Sequence, residues 1–196
     1  MPRLLLSTSN PGKVREIREI LAGTGWEAVT PVEAHITFAA PIETARSYAE
    51  NAIAKAVAAA EASGRPALAD DSGIEVDALD GAPGPLSARF GGPTLSDTDR
   101  CALLLGQLEG IPPGRRGARF RAVVALALPG NRVITREGVL EGRVALAPRG
   151  ANGFGYDPVF ELPDGRTVAE LGAEKQTLSH RARALTSMAE VLRELT

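Results

Sequence analysis

The amino-acid sequence predicts an α/β fold, an elongated mixed β-sheet flanked by helices. Three observations carry that expectation. The chain opens on Leu4-Leu5-Leu6, a short buried strand, which turns at Ser9-Asn10-Pro11-Gly12 into a segment with Val14, Ile17, Ile20 and Leu21 at helical spacing. An alanine-rich helix from about Thr44 to Ser63, ended by Gly64, is followed by the apolar run Ala67-Leu68-Ala69. Later, Phe120 to Leu128 is a strongly apolar strand, Pro129-Gly130-Asn131 a turn, and Val133 to Val144 one or two further strands broken at Gly138 and Gly142.

With 196 residues the chain is long enough to bury a real core and is read as one domain spanning 1–196. Acidic and basic residues nearly cancel, 24 against 22, so composition points to no nucleic-acid or membrane partner. Any nucleotide handled here is small and held locally. The single cysteine, Cys101, rules out an internal disulfide and fits a reducing compartment. Three leucines after Met1-Pro2-Arg3 are too short for a secretory h-region, and Ala122 to Leu128 is far below the roughly 20 residues that a membrane helix needs. The expectation is a cytoplasmic protein.

Taken in order, the first helix is expected to end at Gly23. Lys13 and Arg15 sit in its first turn, where the dipole is positive and a cation is unfavourable unless an anion is nearby. Hydroxyls, an amide, free backbone N–H groups and a lysine therefore meet at one spot suited to phosphate, although the spacing is not that of a P-loop. Trp26 to Thr30 reads as a second strand, and His35 as structural or exposed. On the second helix Ala52, Ala56, Val57 and Ala60 form the apolar face, with Asn51 and Lys55 as an i, i+4 polar stripe and Glu43 just before it.

Next comes Ala67-Leu68-Ala69-Asp70-Asp71-Ser72-Gly73, a buried strand expected to end at two adjacent carboxylates. Side chains alternate along a strand, so the two aspartates point to different sides unless the chain turns between them. Asp80 to Gly92 is a long loop dense in glycine and proline. Ser96, with Asp97 and Asp99, starts a helix that buries Leu103, Leu104 and Leu108. The connector Ile111 to Gly117 is the best candidate for a lobe boundary. Pro148 to Phe160 interleaves glycines with Phe154, Tyr156 and Asp157, and an aromatic ring in such a loop can offer a face to a base. Ser179 caps a last helix with Ala182, Leu185, Met188, Ala189 and Leu192 on its buried face, and His180 and Arg181 in its first turn. Lys175 precedes it in a polar connection.

Read together and in order, Thr8-Ser9-Asn10-Pro11-Gly12-Lys13, Glu50-Asn51-Ala52 with Lys55, Ala69-Asp70-Asp71-Ser72-Gly73, and Phe154-Gly155-Tyr156-Asp157 followed by Lys175 and Ser179-His180-Arg181 carry a resemblance that covers essentially the whole chain. The sequence resembles the Ham1 family, the inosine triphosphate pyrophosphatases that remove non-standard purine nucleotides, and most of all its bacterial members. The resemblance implies two lobes with one central cleft, a homodimer, and magnesium as cofactor. It implies that Thr8, Ser9, Asn10, Pro11, Gly12 and Lys13 cradle the triphosphate, that Lys55 touches phosphate, that Glu43 and Asp71 help to bind magnesium, and that Asp71 accepts a proton. Ser72 would contact substrate. Phe154, Gly155, Tyr156, Asp157, Lys175, His180 and Arg181 would hold the purine and sugar end, and Arg89 is similar to a basic position near the phosphates. Two departures are visible: Ser9 stands where glycine or asparagine is common, and Ala45 where glycine often follows Glu-Thr.

The implied reaction splits ITP, dITP or XTP between the α and β phosphates into a monophosphate and pyrophosphate. Magnesium prefers carboxylate, phosphate and water oxygens. Either Asp70 or Asp71 can serve as the base for water; Asp71 is assigned to the metal and the water, and Asp70 to support of the same site. Donors such as Arg181 or His180 would favour the O6 acceptor of hypoxanthine and xanthine over the amine of adenine. The alternatives are a house-cleaning pyrophosphatase for other modified nucleotides, and a nucleotide-binding module without turnover.

Overall fold

The computed structural model describes residues 1–39, 41, 47–130 and 132–195. The strands are β1 (Arg3–Leu6), β2 (Glu27–Val29), β3 (Ala67–Val76), β4 (Gly117–Leu128), β5 (Arg132–Val144) and β6 (Phe160–Glu161). They form one six-stranded sheet in the order β2-β1-β3-β4-β5-β6. β1 pairs in parallel with β2 (Arg3 opposite Glu27) and with β3 (Leu5 opposite Ala67), while β5 and β6 are antiparallel. The sheet is therefore mixed, and with its helices the fold is α/β. The helices are α1 (Pro11–Ile20), α2 (Tyr48–Ser63), α3 (Asp97–Gln107), α4 (Lys175–Leu178) and α5 (His180–Glu194). No helix among the described residues is long and apolar enough to cross a membrane.

The chain divides into two compact units. The first holds Met1–Asp71, Ala122–Gly138 and Arg181–Thr196, the second Ser72–Arg121 and Val139–His180. Inside the first unit, strand alternation sorts the apolar residues cleanly. Leu4, Leu6 and Leu68 join Ile17 of α1 and Leu185 and Met188 of α5 in one cluster, whereas Leu5, Ala67 and Ala69 join Ala52, Ala56 and Ala59 of α2 in another. Small alanines on both α2 and β3 let helix and strand approach closely. The second unit has its own core, built on Ile74, Leu104, Leu108, Phe120, Val159 and Phe160.

Several boundaries differ from the sequence expectation, each for a physical reason. α1 starts at Pro11, not after Gly12, because Asn10 caps it and proline suits the first helical position. Its C-cap is Leu21, and Gly23 instead takes a positive φ of 79° in the turn beyond. α2 begins at Tyr48 behind an N-cap at Ser47; Thr44 lies outside the described residues, as do Glu43 and Ala45. The strand expected to end at the two aspartates runs on to Val76. β5 is one strand, unbroken at Gly138 and Gly142. A side chain at Gly142 would collide with the Phe160 ring, so this glycine admits β6 and does not break the strand.

The connector Ile111 to Gly117 is not a boundary. Arg116, buried within it, donates from its guanidinium to the carbonyls of Leu108, Val144 and Ala145 and ties the connector into the second unit. The divisions fall inside β3, β4 and β5 and at the start of α5.

Candidate active site

In the first unit, α1, α2 and α5 bring four charged side chains, Lys13, Glu16, Lys55 and Arg181, around Asp70 and Asp71 of β3. The two aspartates do face different elements, as alternation requires. Asp70 Oδ2 receives Lys13 Nζ of α1 at 2.8 Å and Arg181 Nε of α5 at 3.0 Å. Arg181 Nη1 lies 2.8 Å from Glu16 Oε2, one turn beyond Lys13 on α1. Asp71 looks to α2 instead: Asn51 Nδ2 donates to its Oδ2 at 2.8 Å, and Lys55 Nζ lies 3.8 Å from its Oδ1. Among the described residues three cations thus meet three carboxylates.

Burial acts most strongly on Asp70 and would raise its pKa, but Lys13, Arg181 and Lys55 outweigh it and hold the carboxyl below the usual range. For Lys13 burial prevails and lowers the ammonium's pKa, with Asp70 opposing. Arg181 also feels burial first, yet Asp70 and Glu16 raise its pKa on balance.

The start of α1 differs from expectation in one respect. The N–H groups of Gly12 and Lys13, expected to be free, donate to Asn10 Oδ1 at 2.9 and 3.1 Å, while Thr8 Oγ1 accepts from the Asn10 N–H at 3.2 Å. Thr8 to Lys13 is therefore a pre-organised turn, and its Lys13 ammonium turns inward to Asp70. Ser9, Asn10 and Pro11 are exposed, and Gly12 is half-buried.

A magnesium ion needs hard oxygen donors. Asp70 and Asp71 provide them, and Asp70 Oδ1 is a buried oxygen with no hydrogen-bond partner among the described residues. Such an orphan is costly unless something else uses it, so the donor chemistry fits the ion. No group of three or more His, Cys, Asp or Glu converges among the described residues. Glu43, the other expected ligand, lies outside them.

The second unit collects the residues expected at the purine end except Arg181, which belongs to the first. Asp157 Oδ2 accepts from the Phe154 N–H at 2.9 Å and from Lys175 Nζ at 2.8 Å, and that ammonium stands 4.6 Å from the centroid of the Phe154 ring. Lys175 is buried at the start of α4 and is not part of a solvated connection. A side chain at Gly153, where φ is 85°, would collide with the Asp157 carboxylate. Gly155 takes a φ of 62° and donates its N–H to Asp97 Oδ2 at 2.7 Å. His180 stacks on Phe120 at 4.7 Å between centroids, and Phe120 on Phe160 at 4.2 Å. Ser72 is the first residue of this unit, and Arg89 is exposed at the end of a 3-10 helix, Gly84–Arg89.

Two residues expected to contact the base have partners within the protein. Arg181 is only 3% exposed and gives its guanidinium to Asp70 and Glu16. Tyr156 is 6% exposed, with its hydroxyl donating to the Ser87 carbonyl at 2.8 Å. Two residues of the group around the aspartates were not picked out as site residues. Glu16 could have been found as a carboxylate three positions after Lys13 on the same stripe of α1. Asn51 was visible in its stripe with Lys55, but nothing local links that stripe to Asp71.

An α/β sheet that sets paired carboxylates against Lys13 in the first turn of α1 and Lys55 of α2 carries charges suited to handling phosphate. The chain belongs to the Ham1 family, whose model matches residues 4–191. It is 48% identical over 195 residues to a protein of Desulforamulus reducens named dITP/XTP pyrophosphatase, covering 98% of this chain and 96% of that one. A protein of the same name from Symbiobacterium thermophilum is 50% identical over 193 residues, covering 97% and 94%. Among solved structures, a HAM1 protein from Coxiella burnetii superposes with a TM-score of 0.89 at 40% identity, covering 99% of this chain and all of that one.

Proposed function

We propose that this protein hydrolyses non-standard purine nucleoside triphosphates (ITP, dITP and XTP) to the monophosphate and pyrophosphate, and so clears them from the nucleotide pool. The observation that carries the reading is the Asp70-Asp71 pair held between Lys13 and Lys55. The names of the relatives support the substrate class.

In this reading Lys13 and Lys55 bind the phosphate chain and offset the charge that gathers on the departing pyrophosphate. Asp71 and Glu43 would hold magnesium, with Asp70 supporting the same site, and the ion would supply further positive charge to the phosphates. Asp70 is committed to two buried cations and keeps them in place. Asp71, whose lysine is more distant, is the proton acceptor, and Asn51 fixes the orientation of its carboxylate. Water adds to the α-phosphorus, the bond to the bridging oxygen breaks, pyrophosphate leaves, and the proton of the water passes to Asp71. Phe154 offers a ring to the base, and Lys175 with Asp157 supplies its polar contacts. The reading extends to a homodimer in the cytoplasm, where nucleotide pools are used.

A panel of ITP, dITP, XTP, GTP and ATP with magnesium tests it. Pyrophosphate should be released fastest from the first three. Orthophosphate as product, or equal turnover of ATP and GTP, contradicts the reading, and saturable ITP binding without turnover would establish a binding module instead.

A further inference from the structure

We infer that Tyr156 is a positioning residue, which couples the seating of the Phe154–Asp157 loop to strand β3 through Ser87, and does not offer its ring to the base. The inference rests on the pyrophosphatase reading above. The Tyr156 phenol is buried and donates to the Ser87 carbonyl at 2.8 Å. Ser87 is itself only 4% exposed. Its hydroxyl donates to the Gly84 carbonyl at 2.6 Å and accepts the Ile74 N–H of β3 at 2.9 Å. One residue thus holds the loop by its carbonyl and the strand by its hydroxyl.

The strand is shaped for this contact. A side chain at Gly73 would collide with both the Gly84 carbonyl and Ser87 Oγ, so only glycine lets the 3-10 helix Gly84–Arg89 lie against β3 here. Gly73 and Ile74 directly follow Asp71-Ser72, and Arg89 ends the same 3-10 helix. On its other side the loop is clamped at Gly155, whose N–H goes to Asp97 Oδ2 at 2.7 Å and whose carbonyl accepts from Cys101 Sγ at 3.4 Å. With Gly155 pinned and Tyr156 tied to Ser87, Phe154 is the ring of the loop left half-exposed. A base that seats correctly on the loop therefore acts, through Tyr156 and Ser87, on the backbone next to the reacting groups. Discrimination between bases then enters the rate as well as the binding.

The test is steady-state kinetics of Tyr156→Phe, which keeps the ring in the core and removes only the hydroxyl, with ITP and with ATP. The expected result is a fall in kcat for ITP of about three- to tenfold, the size of one hydrogen bond, with KM changed less than about twofold. The ratio of kcat/KM for ITP to that for ATP should fall by the same factor. Ser87→Ala should act in the same way, and the double variant should lose no more than the worse single variant. If either variant melts below the assay temperature, the other decides the outcome. A raised KM at constant kcat, equal losses for ITP and ATP, or losses that multiply in the double variant would overturn the coupling. A wild-type protein that releases no pyrophosphate from ITP would overturn the pyrophosphatase reading, and this inference with it.

Discussion

The proposed mechanism gives the neighbours Asp70 and Asp71 different tasks, and exchanging each for asparagine separates them. Asp70 Oδ2 holds Lys13 and Arg181 in a side chain that is 1% exposed. Asp70→Asn removes that charge and leaves two buried cations against Glu16. Breaking a buried pair by removing one partner costs about 3–5 kcal/mol. Asparagine retains an acceptor oxygen, so the expected loss is at the lower end, about 3 kcal/mol. At about 2–4 °C per kcal/mol for a chain of this size, Tm should fall by about 6–12 °C. Asp71→Asn is milder, because Lys55 stands 3.8 Å away and the Asn51 amide can still donate to the new side chain. Tm should therefore fall by less than for Asp70→Asn. Turnover should behave the other way, since losing the proton acceptor costs about 10²–10⁴-fold. Thermal melts by circular dichroism and pyrophosphate release from ITP measure both quantities on the same samples. An Asp71→Asn variant that melts below Asp70→Asn, or turns over within tenfold of the wild type, would refute this division of roles.

Three further predictions concern the second unit. Gly153→Ala forces a side chain into a position with φ of 85° and against the Asp157 carboxylate, so the 2.8 Å contact between Asp157 and Lys175 should be lost. KM for ITP should rise about tenfold, and an unchanged KM would remove Asp157 from substrate binding. Burial, and after it Asp97 and Asp157, pushes the Cys101 thiol up to about 11 from an ordinary 9.0. Iodoacetamide at pH 8 should therefore label the native protein far more slowly than the unfolded one, and equal rates would contradict this burial. The sign of the linkage also follows. The folded state disfavours the thiolate, so the stabilisation is full below about pH 9 and is lost as pH rises towards 11, and Cys101→Ala should flatten that decline.

Much of the first unit was legible because its cues are local. Alternation in Leu4-Leu5-Leu6 and Ala67-Leu68-Ala69 assigns residues to the two clusters found, and the spacing of Ala182, Leu185, Met188 and Leu192 assigns the buried face of α5. The opposite orientation of Asp70 and Asp71 follows from the same rule. What escaped depends on distant residues. Asp71-Ser72-Gly73 has the composition of a turn, yet it stays extended because Ser87 supplies an acceptor for Ile74 and Gly73 admits the segment that brings it. Glycine and proline in Ile111 to Gly117 mark where the chain bends, whereas the units divide where contacts thin out, and Arg116 makes that bend one of the better-tied places. Arg181 could not be assigned to Asp70 from sequence, since 111 positions separate the two.

The most direct measurement is hydrolysis of ITP in water enriched in oxygen-18, with mass analysis of both products. Attack on the α-phosphorus predicts one heavy oxygen in the monophosphate and none in the pyrophosphate. Heavy oxygen in the pyrophosphate, or orthophosphate as the labelled product, would contradict the account.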